Sequence, residues 1–558
     1  MVLYRTACST FERSEQVTCL QDLEGVLMNQ MAKSILLLAL SVSVFGCSDS
    51  RKDYPVPPAD AQADSCIIET RPFEIGPEKY EADFGTITVP ENRSKSASRL
   101  IHIPFLRIRS HANTPAEPIF ALAGGPGQRN MSWDWGIAQI FLSEHDFVLV
   151  GYRGVDGSTV LDCPEVSKAF KSDNDLLSEE SLKTVGRAWI TSAERLRAQG
   201  VDLDGYTMLE CIEDNESVRK ALGYRSINLL SASYGTRVAY LFGLRHPEKI
   251  FRSAMISVNP PGHFVWDPYV IDAQLKRYAA LWSRDSLMSG KSPDLYATMR
   301  TVLNAMPRNW LFLAINPGKV RLVTFALLFH RKTAAQVFDA YVAAERGDPS
   351  GLALMSLACD YVVPSMMVWG DLASKAVSAD FDSARNYSAD MDPSDTPLGS
   401  PMSKLLLGSA HYGRWPVKLL PEEFRTPQKS DVQTLLLSGS VDFSTPAEAA
   451  TMELLPYLKK GRQVVLSECG HVNDMFYAGA ENTRLILKSF YNTGVPNLSL
   501  NSYIPMDFSV RWGFPAIAKI ALGVIALIGI VVVVGIAWFL RKHGKRQASK
   551  RISSPMNA

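Results

Sequence analysis

The sequence predicts an α/β protein whose mostly parallel sheet is covered on both faces, interrupted by a helical insertion and followed by a transmembrane helix. Three observations carry that expectation. Short, near-continuous apolar runs (Pro118–Leu122, Phe147–Val150, Ile227–Leu230, Gln433–Leu437, Gln463–Leu466) alternate with longer helical stretches, the pattern of strands buried on both faces. Glycine-rich turns follow several of these runs, at the carboxyl ends of strands where such sheets carry their chemistry. A last apolar run, from Pro515 to Leu540, holds one charged residue, Lys519, and exceeds the roughly 20 residues a bilayer requires.

The elements follow in order. Residues 1–30 include Arg5, Glu12, Arg13 and Glu15 and look like no signal region; they are expected to be a spurious leader, with translation starting at Met28 or Met31. Lys33 and the apolar run Ile35–Phe45 then predict a signal peptide over 31–46. Val44-Phe45-Gly46-Cys47 resembles a bacterial lipobox, which would make Cys47 a lipidation site; simple signal cleavage is the alternative. A Pro-rich tether (47–65) leads into the first part of the α/β core (66–262). Within that part, Gly85–Pro90 and Leu100–Ile108 suit an edge hairpin, and helical patterning runs from Ser181 to Ala221. The insertion, 263–425, reads as a helical cap over a site, or else as a separate helical domain. The strand rhythm resumes in 426–495, and a juxtamembrane linker (496–514) precedes the span, 515–540.

Trp512 and Phe514 flank one end of the span and Trp538 and Phe539 the other, suiting aromatic belts. The tail, 541–558, carries Arg541, Lys542, Lys545, Arg546, Lys550 and Arg551, and the positive-inside rule places it in the cytoplasm. The core is then exported, periplasmic or extracellular, in a bacterial cell envelope. Across 558 residues, 58 Lys and Arg face 57 Asp and Glu for a net charge of +1, so no basic field supports a nucleic-acid partner. Beyond Cys47 lie Cys66, Cys163, Cys211, Cys359 and Cys469. An odd number leaves at least one thiol without an intramolecular partner, and no pair has metal-ligand spacing, so zinc is not expected; with no phosphate-binding or metal motif in the sequence, no cofactor is implied.

The chemistry concentrates at three post-strand turns. Ser231-Ala232-Ser233-Tyr234-Gly235 follows a strand and opens a helix, with small residues two before and two after Ser233, as a nucleophile elbow requires. A serine needs a base to take its proton, and that base needs an acid to orient it. Asp442 lies in the turn after Gln433–Leu437, and His471 after Gln463–Leu466, giving the chain order Ser, Asp, His. With only nine histidines in the chain, one at that place is informative.

Ala123-Gly124-Gly125-Pro126-Gly127, Tyr152-Arg153-Gly154-Val155-Asp156-Gly157-Ser158, Ser233-Tyr234-Gly235 and Asp442 with Thr445-Pro446 resemble the prolyl and tripeptidyl aminopeptidase family of α/β-hydrolase serine peptidases. The likeness extends from about Cys66 to Gly494 and includes Leu161-Asp162-Cys163-Pro164 and Val218–Tyr224. Ala123 stands where the family motif has His, Ser231 where it has Gly, Gly151 where the second motif has Asp, and Asp156 where it has Gly. The resemblance implies catalytic Ser233, Asp442 and His471, with an oxyanion hole from the N–H groups of Tyr234 and Gly125, Gly124 being the near alternative. Arg153 reads as structural, pairing with loop carbonyls or an acid.

The expected function is a membrane-anchored serine hydrolase releasing N-terminal residues or short peptides through an acyl-enzyme. A small-ester hydrolase with the same triad and a retired hydrolase serving as a tethered binding protein are the alternatives. Its expected partners are a short peptide or small ester or amide substrate, and the membrane. An aminopeptidase also needs an acid for the substrate amine; Asp360 and Glu345 are two of several in the cap, and none is assigned.

Overall fold

The computed structural model describes residues 54–500 and 503–552, with side chains as far as Arg541. The expected leader, the signal peptide and Cys47 lie outside the described residues, as do the side chains of the basic tail beyond Arg541. Nine strands form one sheet in the order β1-β2-β3-β5-β4-β6-β7-β10-β11. β1 (Cys66–Ile75), β2 (Glu78–Pro90) and β3 (Leu100–Ile108) pair antiparallel at one end, and β3 meets β5 (His145–Val150) antiparallel. From β5 onward through β4 (Ala116–Leu122), β6 (Ile227–Ala232), β7 (Ile250–Ile256), β10 (Gln433–Gly439) and β11 (Gly461–Leu466), every pairing is parallel. The expected mostly parallel sheet is therefore present, and Gly85–Pro90 with Leu100–Ile108 pairs at its antiparallel end.

Burial explains the composition of the strands. All six residues of β5 and of β6 are buried, because helices cover both faces, whereas β11 at the sheet edge is only partly covered. Phe141, Phe147, Leu149, Phe490 and Tyr491 belong to the core on one face. The helix Glu179–Ala198 begins where Ser178 accepts the N–H of Ser181, with Glu179 and Glu180 in its first turn and Arg195 and Arg197 in its last, charges that complement the helix dipole.

The insertion between β7 and β10 is mainly helical, with one small hairpin of β8 (Asn309–Trp310) and β9 (Leu313–Ala314). Several of its helices start at capping side chains: Asp267, Asp285, Asp294 and Asn316 each accept backbone N–H groups of the turn they cap. Insertion and sheet fall in one compact unit, Ser48–Arg511. Met506 and Phe508, within the stretch expected as a linker, are buried, and Phe508 stands edge-on to Trp282 with ring centroids 5.3 Å apart. The C-terminal helix runs Phe514–Ile552, and its first 28 residues, Phe514–Arg541, are long and apolar enough to cross a membrane.

Candidate active site

β6 ends at Ala232 and the helix Tyr234–Arg245 starts two residues later, so the chain must turn within Ser233. It does so at φ 52° and ψ −123°, a conformation that costs an L-residue on the order of 1–3 kcal/mol and clusters at functional sites. Ser233 donates its backbone N–H to the Ile256 carbonyl at 2.9 Å. A Cβ on Gly235 would stand 2.1 Å from the Leu122 carbonyl oxygen, so only glycine lets the helix approach β4. At the position before the turn, Ser231 is accommodated: buried, it donates its hydroxyl to the Ala254 carbonyl at 3.1 Å.

The glycine-rich turn after β4 lies beside the elbow. A Cβ on Gly124 would meet the Ser233 Cβ at 3.2 Å; Gly124 therefore lies against the serine, and Gly125, with φ +134°, follows it. Asn130 stitches this turn to the sheet, accepting the Ala123 N–H at 2.7 Å and donating to the Ala121 and Val150 carbonyls.

Asp442, after β10, and His471, after β11, lie within hydrogen-bond distance of each other. Nδ1 of His471 lies 3.0 Å from both carboxylate oxygens of Asp442. Asp442 is fully buried and also accepts the N–H groups of Ser444 and Thr445 and the Thr445 hydroxyl, the last at 2.9 Å. Burial alone raises its pKa, but the His471 ring, these bonds and the Ser257 hydroxyl outweigh it, holding the carboxyl below its ordinary value. The recorded contacts of the His471 ring run to Asp442, Thr445, Phe329 and His330; among the described residues none is a hydrogen bond to the Ser233 hydroxyl, a bond that in unliganded sites is often long.

Ser257 ties the three turns together, and no sequence motif marked it. It follows β7 with φ +55°, directly after the Ile256 that receives the Ser233 N–H, and its hydroxyl accepts the Val472 N–H at 2.9 Å. Phe329, from the insertion, was equally unmarked; its carbonyl accepts the His471 N–H at 2.9 Å. Its neighbour His330 sits with its ring 6.4 Å from that of His471. Burial and the nearby His471 lower its pKa.

Arg153 is structural, as expected. Fully buried, it donates to Asp214 and to the Glu91 and Gly205 carbonyls at 2.6–2.7 Å. Asp360 pairs with Lys319 and Glu345 accepts the Thr298 hydroxyl, so neither carboxylate stands unengaged. The five described cysteines are all free thiols. Among the described residues, no group of three or more His, Cys, Asp or Glu is placed to hold a metal.

The family described as alpha/beta hydrolase fold matches residues 117–389. Tripeptidyl aminopeptidases from Streptomyces lividans and Streptomyces coelicolor are 29% and 28% identical over 199 and 196 residues. Each alignment takes in 33% of this chain and 36% of the relative, so the chain spans about a third of the length of those relatives. A solved α/β-hydrolase enzyme from a Medee basin deep-sea metagenome library is 12% identical, covering 72% of this chain and 98% of its own, with a TM-score of 0.34. The chain has the α/β-hydrolase fold.

Proposed function

We propose that this hydrolase of α/β fold is a membrane-anchored serine peptidase that releases N-terminal residues or short peptides, with Ser233 as nucleophile, His471 as base and Asp442 as the acid that orients it. The observation that carries the reading is the buried Asp442–His471 pair, hydrogen-bonded at 3.0 Å and joined through Ser257 to the elbow that presents Ser233. Asp442 fixes the Nδ1–H tautomer and leaves Nε2 free to take the Ser233 proton. The serine oxygen attacks the substrate carbonyl, and the oxyanion is received by the N–H of Tyr234 and that of Gly125, with Gly124 as the near alternative. His471 passes its proton to the leaving amine, and water then hydrolyses the acyl-enzyme with His471 again as base.

The peptide substrate is supported by the similarity to tripeptidyl aminopeptidases, and the serine chemistry by the motifs at Gly124–Gly127, Ser233–Gly235 and Asp442–Pro446. The long apolar helix supports the anchor. We expect Ser233→Ala to lower kcat by roughly 10³-fold or more and to abolish labelling by a fluorophosphonate probe. A panel of aminoacyl and tripeptidyl chromogenic amides beside short acyl esters tests the substrate. Hydrolysis of esters with no amide cleavage would replace the peptidase reading by an esterase. Undiminished labelling of Ser233→Ala would remove the nucleophile assignment altogether.

A further inference from the structure

A buried ion pair of the insertion has no part in the serine-hydrolase reading. Asp371 and Lys375 lie one turn apart on the insertion helix Trp369–Asp380, both side chains with no exposed surface, and Lys375 donates to Asp371. A fully buried pair is weak evidence for stability, because desolvating both charges offsets most of their attraction. What sets this pair apart is where its remaining polar atoms go. Oδ2 of Asp371 accepts the backbone N–H of Gly127 at 3.0 Å, and Nζ of Lys375 donates to the Arg153 carbonyl at 3.3 Å. These are the two glycine-bearing turns, after β4 and after β5, that border the elbow.

The fit is close on both. Gly127 has φ +85°, and a Cβ there would stand 2.8 Å from the Val368 carbonyl oxygen. A Cβ on Gly154, φ +83°, would stand 2.7 Å from Oδ1 of Asp371. Val368 also donates its N–H to the Gly127 carbonyl at 2.8 Å, so the insertion holds both backbone polar groups of Gly127. At the other end of the same turn, Asn130 holds the Ala123 N–H. Gly124 and Gly125 are suspended between these two anchors.

We propose that Asp371 is a positioning residue of the reaction: a carboxylate supplied by the cap that fixes the turn Gly124–Gly127 at the distance its N–H needs to meet the developing oxyanion. An oxyanion donor acts only within about 2.7–3.1 Å of the oxygen it stabilises, so a turn released at Gly127 loses stabilisation in the transition state more than it loses ground-state binding. A charged acceptor on that N–H makes a stronger bond than a neutral one. The inference rests on the serine-hydrolase reading given above.

The test uses the full chain and whichever chromogenic substrate the wild type hydrolyses. Asp371→Leu with Lys375→Met removes both charges and the acceptor while keeping apolar volume. Asp371→Asn with Lys375→Met removes both charges but returns an acceptor to Gly127. We expect the leucine pair to lower kcat by about 10- to 100-fold with KM within about twofold, short of the roughly 10²- to 10³-fold of a donor removed outright, and the asparagine pair to recover most of it. If the leucine pair does not unfold cooperatively, Asp371→Ala with Lys375→Met makes the same comparison. Wild-type kcat in the variants lacking the acceptor, or equal losses with and without it, would overturn the proposal. Ser233→Ala, run in parallel, separates the two claims: activity surviving in that variant defeats the serine-hydrolase reading, whereas its loss beside unimpaired Asp371 variants defeats only the role of Asp371.

Discussion

Asp156 and Gly151 show what single departures from a motif mean once their neighbours are known. In the sequence each stands as an isolated departure, Gly for Asp and Asp for Gly. In the fold they touch: a Cβ on Gly151 would lie 2.8 Å from the Asp156 Cβ, and the Asp156 carboxylate accepts the N–H groups of Tyr152 and Asn130. The Asp156 carboxylate thus stands beside the Gly151 turn, delivered from five residues further on. Burial pushes the Asp156 carboxyl up to about 6 from its ordinary 3.8. The folded chain therefore binds more protons than the unfolded chain between those values, so this group's contribution to stability falls as pH rises from about 4 to about 6, by at most about 3 kcal/mol. We expect Asp156→Asn, which keeps an acceptor but cannot ionise, to gain stability relative to wild type across that interval; thermal unfolding of both proteins from pH 4 to 7.5 measures it, and a constant difference would contradict it. Thr445 is a second case. Its motif was legible, but its hydroxyl's place between Asp442 and His471, 2.9 Å and 3.2 Å away, was not, because that contact joins turns far apart in sequence. Removing a hydrogen bond to a buried charge costs about 1.5–3 kcal/mol, so Thr445→Val should reduce kcat by about tenfold or more, read from steady-state kinetics with Asp442→Asn as the larger reference loss.

At the scale of elements, the sequence was most legible where local chemistry decides the outcome. Buried strands showed as apolar runs, the elbow as small residues around Ser233, and the insertion as a change to mainly helical patterning; the capping roles of Asp267, Asp285, Asp294 and Asn316 emerged only in the fold. Ser257 stayed invisible, because its importance comes from β7 lying between β6 and β10, an order that no local pattern encodes. The elbow helix is the element with least tolerance. With the Leu122 carbonyl oxygen 2.1 Å from a Cβ on Gly235, Gly235→Ala must push backbone against backbone, and overpacking of this kind costs about 1–3 kcal/mol or more. We expect that variant to unfold at lower temperature and to lose probe labelling at Ser233. Ser231→Ala, at the other small position, removes one buried hydroxyl and should cost only about 1 kcal/mol. Equal effects at the two positions would mean that the close approach of helix and strand does not set the elbow.

On the scale of the whole molecule, the insertion is bonded to the glycine-rich turn after β4, to the elbow helix and to the turn that carries His471. Asp371 takes the Gly127 N–H, Asp380 pairs with Arg237 on the elbow helix, and Phe329 accepts the His471 N–H. Next to that last contact, Arg331 donates to the carbonyls of Ile504 and Pro505, while Phe508 stacks its edge near Trp282 and Phe338. The segment expected as a juxtamembrane linker thus straps the insertion helix Arg331–Glu345. Its apolar residues Met506 and Phe508 are too few and too scattered for any periodicity to declare them buried. The strap predicts different outcomes for two truncations. A chain ended after Arg511 loses the apolar helix but keeps the strap; it should leave the membrane fraction without detergent and retain the melting temperature and kcat of the full chain. Ended after Val495, the chain also exposes the surfaces that Met506 and Phe508 cover, each contributing about 1.5–3 kcal/mol on burial, and should melt several degrees lower. Because Arg331 also donates its N–H to Asp474, which holds the Gly470 N–H beside His471, kcat should fall with it. Equal melting temperatures and activities for the two truncations would show that the strap is passive. Detergent-free release of the full chain would show that Phe514–Arg541 does not anchor it.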